Sequence, residues 1–219
     1  MTFPVILLPG MGADSRMFAA QKERFPQLLV PPWPALVPRE PLRDFAARLA
    51  SSLDITRETV LGGASMGGMV ALEIARLKPP RAVVLLGSCR NPAAVPGTLA
   101  LAERAARLIP NPILDLFRVF DHLALARLGP LTPVQRALLR AMSRDHSMAF
   151  LAWAGRAILE WPGVPDPGVP VLHLHGRLDR MLLPSRVRPD IMLEDAGHVP
   201  SITHPAAVNA LIERAGTLP

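Results

Sequence analysis

The stretch Val60-Leu61-Gly62-Gly63-Ala64-Ser65-Met66-Gly67-Gly68 constrains this chain more than any other. A short apolar run passes into Gly-x-Ser-x-Gly and then directly into a second apolar run of helical length. A strand that turns this sharply into a helix forces strained backbone angles on the serine at the corner, and side chains on its neighbours would collide. Gly63 and Gly67 relieve that collision because they carry no Cβ. The turn leaves Ser65 at the carboxyl end of a strand, above a helix N-terminus. The Met66 N–H there points at any anion that forms. A plainer reading is a glycine-rich turn whose serine only caps the helix, so the pattern needs support from elsewhere in the chain.

Three further segments supply it, in a telling order. Val5–Leu8 is a short apolar strand that ends in Pro9-Gly10-Met11-Gly12-Ala13-Asp14, a loop where a second backbone donor, the Met11 N–H, is expected. The same loop reads as a turn into a helix capped by Asp14 or Ser15, and the two readings are compatible. Downstream, Val171-Leu172-His173-Leu174-His175-Gly176-Arg177-Leu178-Asp179 is a strand followed by a loop bearing an acid. Ile191-Met192-Leu193 then leads through Glu194-Asp195-Ala196-Gly197 to His198. Nucleophile, acid and base therefore come in the order Ser65, Asp179, His198, which belongs to one triad fold and not to the other two well-known ones. Asp195 competes as the acid but stands only three residues before His198, too near in sequence to reach Nδ1 well. Ser88-Cys89-Arg90-Asn91, after the strand Ala82–Leu86, offers no carboxylate.

On Leu-Leu-Pro-Gly at 7–10, Gly-Ala-Ser-Met-Gly-Gly at 63–68, His-Gly-Arg-Leu-Asp at 175–179 and Ala-Gly-His at 196–198, the chain resembles the α/β-hydrolase fold superfamily, of the serine esterase and lipase type. The resemblance covers nearly the whole chain. It implies an α/β fold with a mostly parallel sheet and helices on both faces, and an insertion point after the Ala82–Leu86 strand that carries a helical cap. It implies catalysis by Ser65, Asp179 and His198, with Met11 and Met66 N–H groups as the oxyanion hole and no cofactor or metal.

The alternation of strands and helices fits a parallel sheet. Strands are expected near Val5–Leu8, Leu28–Val30, Val60–Gly62, Ala82–Leu86, Val171–Leu174 and Ile191–Leu193, a reduced sheet of about six. Helices are expected near Ser15–Arg24, Leu42–Leu53, Met66–Leu77 and Ala206–Arg214, the last opened by Pro205. Between Asp179 and the last strand there is room for about one helical turn. Residues 91–164 break the alternation, with helices expected at Leu99–Ile109, Ile113–Leu128, Pro133–Met142 and Ser147–Leu159. The core is thus read as 1–90 with 165–219, and 91–164 as the cap. Each of these helices also needs an apolar face simply to pack.

Composition removes several other classes. The chain has 219 residues, half of them hydrophobic, which suits one folded core rather than disorder. A net charge of +6 raises the question of nucleic acid. Lysine stands only at Lys22 and Lys78, and the arginines are scattered among acids rather than gathered with aromatics, so nucleic acid is not expected as a partner. Cys89 is the single cysteine, read as a packed thiol that fits a reducing compartment. With no basic leader and no apolar run of the roughly 18 residues a membrane span needs, the reading is cytoplasmic. His173 and His175 lack the carboxylate or cysteine company of a metal site, and His175 is read as support for the Asp179 loop. His122, His146 and His204 are read as cap or surface residues.

The expected partner is a small-molecule carboxylic ester or thioester with a small to medium apolar acyl group. Met11 and Met66 are expected to lend the acyl pocket flexible apolar surface. Serine at the elbow argues against carboxylate-nucleophile chemistry. Acyl transfer on the same fold stays open, as does a catalytically idle fold that binds a ligand. Oligomeric state is not legible.

Overall fold

A computed structural model describes residues 3–106 and 125–219. Its strands are β1 (Val5–Leu8), β2 (Val60–Ala64), β3 (Ala82–Leu86), β4 (Val171–Gly176) and β5 (Ile191–Leu193), and they form one sheet in that order. Every pairing is parallel, with Leu8 opposite Gly63, Ala64 opposite Leu86, Leu86 opposite Leu174 and Leu174 opposite Ile191. The helices are α1 (Ala19–Arg24), α2 (Leu42–Ser51), α3 (Met66–Leu77), α4 (Gly97–Ala106), α5 (Pro133–Arg144), α6 (Met148–Glu160), α7 (Pro200–Thr203) and α8 (Pro205–Gly216).

The strands are continuous apolar runs because both faces of the sheet are covered. Side chains alternate between the faces. Ile6, Leu8, Leu61, Val83 and Leu85 join a cluster with α2, α3 and α6. Val5, Leu7, Val60, Val84 and Leu86 join a second cluster with Met17, Phe18 and α8. Helix α2 buries Leu42, Phe45, Ala46, Leu49 and Ala50, the stripe of a one-faced helix. Helix α3 is buried on nearly every side from Met66 to Ala75. Between β3 and β4, helix α6 belongs to the first cluster. Its Trp153 ring lies 4.5 Å from that of Phe45, and the Trp161 indole N–H donates to Glu73 Oε1 at 2.7 Å.

The expected six strands become five among the described residues. Leu28–Val30 contributes a single parallel bridge, Ile6 to Leu29, made by Leu7 N–H to the Leu29 carbonyl and Leu29 N–H to the Val5 carbonyl. Pro31, Pro32 and Pro34 follow at once; without N–H groups they cannot extend a ladder. The helix expected at Ser15–Arg24 starts as a 3-10 turn, Ser15–Phe18, and Asp14 is its cap, accepting from Arg16 N–H at 2.9 Å. Pro205 opens α8 as expected, and the turn after Asp179 is a short 3-10 helix, Pro184–Arg186. The expected helix Leu99–Ile109 is seen as α4 up to Ala106, and the expected helix Ile113–Leu128 lies mostly outside the described residues. Among the described residues no helix is long and apolar enough to cross a membrane.

Candidate active site

Ser65 stands between β2 and α3 at φ 51° and ψ −120°. Arg39 is the one other non-glycine residue with positive φ among the described residues. Such a conformation costs about 1–3 kcal/mol and persists only where the surroundings dictate it. Here they do. Ser65 N–H donates to the Leu86 carbonyl at 3.1 Å, and the Ser65 carbonyl accepts the Ser88 hydroxyl at 2.7 Å as well as Gly68 N–H at 3.0 Å. A Cβ on Gly67 would strike the Leu8 and Pro9 carbonyl oxygens, and one on Gly63 would strike the Gly67 backbone. Sequence reasoning missed a third glycine of the elbow: a Cβ on Gly68 would overlap the Ser88 side chain. The small serine two residues after β3 is the signal that could have found it.

The loop after β1 lies directly against the elbow, since a Cβ on Gly10 would sit 3.5 Å from the Ser65 Cβ. Met66 opens α3, so its N–H is one of those a helix leaves without an internal partner. The two methionine side chains diverge. Met11 is exposed, whereas Met66 is fully buried in the first core cluster, so Met66 packs the core instead of lining an acyl pocket.

Asp179 and His198 are 2% and 5% exposed, and His198 Nδ1 lies 2.7 Å from Asp179 Oδ2. The Asp179 Oδ1 accepts Met181 N–H at 2.7 Å and Leu182 N–H at 3.0 Å, while His175 Nε2 lies 3.2 Å from Oδ2. Burial pushes the Asp179 carboxyl up, but the nearby His198 and these hydrogen bonds outweigh it and hold the group below the usual carboxylate range. Asp195, the competitor, is exposed and faces His204 Nε2 at 3.2 Å. Burial raises the Cys89 thiol to about 12, so it stays protonated.

The elements that carry Ser65 and His198 adjoin. Gly87, just after β3, approaches the His198 carbonyl, and Ser88 beside it bonds the Ser65 carbonyl. Among the described residues no hydrogen bond joins the Ser65 hydroxyl to the His198 ring. Such contacts are often long in the unliganded state and tighten with substrate. The segment between β3 and β4 touches the loops after β1, β4 and β5. Leu128 O accepts His198 N–H at 2.7 Å, Arg127 O accepts Arg180 N–H at 3.1 Å, and His146 Nε2 lies 3.2 Å from Ala13 O. A cleft of about 480 Å³ opens between the loop after β1, the proline segment around Trp33 and the α5–α6 turn at His146. It includes Pro9 and Ala13 in its wall, and none of Ser65, Asp179 or His198.

A sequence profile described as the Alpha/beta hydrolase family matches residues 5–211. Among solved structures, a thermophilic esterase from Thermogutta terrifontis superposes with a TM-score of 0.75 at 22% identity, over 98% of this chain and 89% of that one. The enol-lactonase from Burkholderia xenovorans LB400 gives 0.78 at 19% identity, over 98% and 91%. An epoxide hydrolase from Bacillus megaterium gives 0.71 at 12% identity, over 98% and 93%. Similarity at these identities speaks for the fold, and the three chemistries differ. No curated protein matches the sequence.

Proposed function

From the premise that the chain belongs to the alpha/beta hydrolase family, we propose that it is a serine hydrolase of carboxylic esters or thioesters bearing a small to medium apolar acyl group. The observation that carries this reading is a strained serine at a helix N-terminus, on the strand next to the one followed by the Gly87–Ser88 turn, against which a buried His198–Asp179 pair is seated. Strain is retained where the hydroxyl has to project from the turn.

In this reading His198 Nε2 takes the Ser65 proton as Oγ attacks the acyl carbon, and Asp179 holds the ring with Nδ1–H towards it. Met66 and Met11 N–H groups take up the charge on the tetrahedral oxygen; one such donor is worth about 2.7–4 kcal/mol. His198 gives the proton to the leaving alcohol or thiol. Water then enters by the same route and frees Ser65. Insertion residues 91–164 act as the cap that sets acyl size. Contacts of Arg127, Leu128 and His146 with the three loops support that role.

Fluorophosphonate labelling with mass-spectrometric site mapping, run beside p-nitrophenyl ester hydrolysis from acetate to decanoate, tests the proposal. The expected result is label on Ser65 and turnover that Ser65→Ala and His198→Ala both abolish. A folded wild type with neither label nor turnover would overturn it.

A further inference from the structure

The loop after β1 is held from two sides. On one side it lies on the elbow, where the Leu8 and Pro9 carbonyls leave no room for a Cβ on Gly67. On the other it meets the turn between α5 and α6. Gly10–Ala13 is a four-residue turn, closed by Ala13 N–H donating to the Gly10 carbonyl at 3.1 Å, with Gly12 at φ 70° in its third place. A Cβ on Gly12 would stand 3.3 Å from Leu151 Cδ2 and 3.6 Å from Ser143 Oγ, so α5 and α6 pack straight onto this turn. His146 Nε2 lies 3.2 Å from Ala13 O. A carbonyl only accepts, so Nε2 carries the proton and donates it. The ring is itself firmly mounted. It stacks on Phe150 at 5.3 Å and 25°, and Phe150 is buried in the first cluster as Met142 is in the second. Arg16 adds a charged tie, bonding Asp14 of the loop and Asp145 beside His146. That tie is exposed and contributes little.

Met11 sits inside that turn, and its N–H donates to no backbone carbonyl among the described residues. A free amide has no partner to aim it, so its direction is that of the turn. The elbow fixes the Gly10 end, 3.5 Å from the Ser65 Cβ, and His146 fixes the Ala13 end. We infer that His146 is a positioning residue, reaching across from the α5–α6 turn to donate Nε2–H to Ala13 O and so to hold the Met11 N–H on its line to the tetrahedral oxygen. This inference rests on the proposed hydrolase activity of Ser65 and its Met11 donor. Its consequence is selective. A misdirected N–H loses more of its hold on the charged oxygen of the transition state than on the neutral carbonyl of the bound ester, so the damage falls on kcat and hardly on KM. A side chain that merely fastened the α5–α6 turn to the core would produce no such split.

The test compares wild type, His146→Leu and His146→Gln on p-nitrophenyl butyrate, after fluorophosphonate has shown labelled Ser65 in each. His146→Leu is expected to lower kcat about ten- to thirty-fold, less than the roughly hundred-fold or more that outright loss of a donor costs, with KM within about two-fold. His146→Gln, whose amide N–H can reach Ala13 O, should recover most of that loss. A labelled His146→Leu with wild-type kcat would overturn the inference, as would equal losses in the two variants or a change confined to KM. Hydrogen exchange read by mass spectrometry follows the loop without any need for activity. Peptides covering residues 9–18 should exchange faster in His146→Leu and return towards wild type in His146→Gln, while those of α8 stay unchanged; unaltered exchange over 9–18 would overturn the inference. Nitrogen-15 NMR of the wild-type histidines needs no variant at all. His146 is expected to carry its proton on Nε2, and a neutral Nδ1–H form would overturn the inference. Absence of label and turnover in wild type strikes instead at the proposed hydrolase activity, and exchange and NMR then still decide whether His146 braces the turn.

Discussion

The elbow at 63–68 and the Asp179–His198 pair are held by different means. At the elbow, backbone meets backbone: Gly63 and Gly67 face carbonyls so closely that no side chain fits, and Ser65 is locked by bonds to Leu86 and Ser88. At the pair, side-chain and loop hydrogen bonds make the geometry, with three donors around one buried carboxylate. Steric exclusion tolerates no compromise, whereas a hydrogen-bond cage can be weakened one donor at a time. One side of the site is brittle and the other tunable.

Under the proposed function, the largest effect expected is on the tunable side. Asp179→Asn should lower kcat by about four orders of magnitude with the fold retained, read by ester hydrolysis beside circular dichroism. Gly67→Ala attacks the brittle side. Its Cβ meets the Leu8 and Pro9 carbonyls, so unfolding in urea should show a loss beyond about 3 kcal/mol together with loss of Ser65 labelling. A stable, labelled Gly67→Ala would break the comparison outright. Ser88→Ala removes one bond to the Ser65 carbonyl and should cost about 1–3 kcal/mol, with labelling slowed rather than abolished.

Acid sharpens the contrast further. The folded Asp179 carboxyl lies below its unfolded value, so its contribution is full above the unfolded pKa near ~3.9 and is lost as pH falls through the folded one. Folded His173 is lowered to about 3 from an ordinary 6.5. As pH drops across that window the unfolded chain takes up a proton that the folded one refuses, so stability falls. Urea midpoints at neutral pH and at the acid end of the window should converge in His173→Leu relative to wild type. At the small end, Asp195→Asn should change stability by less than about 1 kcal/mol, because its pairing with His204 is exposed.

What the sequence made legible follows the same division. Sterics write themselves into residue identity, and Gly63, Ser65 and Gly67 could be read directly, as could the strands built from unbroken apolar runs. Leu28–Val30 was readable in kind but not in extent, although the prolines at 31, 32 and 34 carried the signal that shortens it. The Met66 side chain misled because a helix buried almost all round has no pocket-facing side there. His175 could be linked to the Asp179 loop by position, but its bond to the Leu182 carbonyl is a matter of a distance that no spacing rule contains. Least legible were the ties from Arg127 and Leu128, whose carbonyls would be the same on any residue.

Those anonymous ties bear on how such a chain can change. The segment between β3 and β4 grips the histidine loop and the aspartate loop through the main-chain carbonyls of 127 and 128, a grip that depends on its path and not on which side chains stand there. A transplant of that segment from a relative would leave the two loops in place only if it entered and left along the same track. Modularity here is a property of routes through space, and an alignment of residues would pass over it.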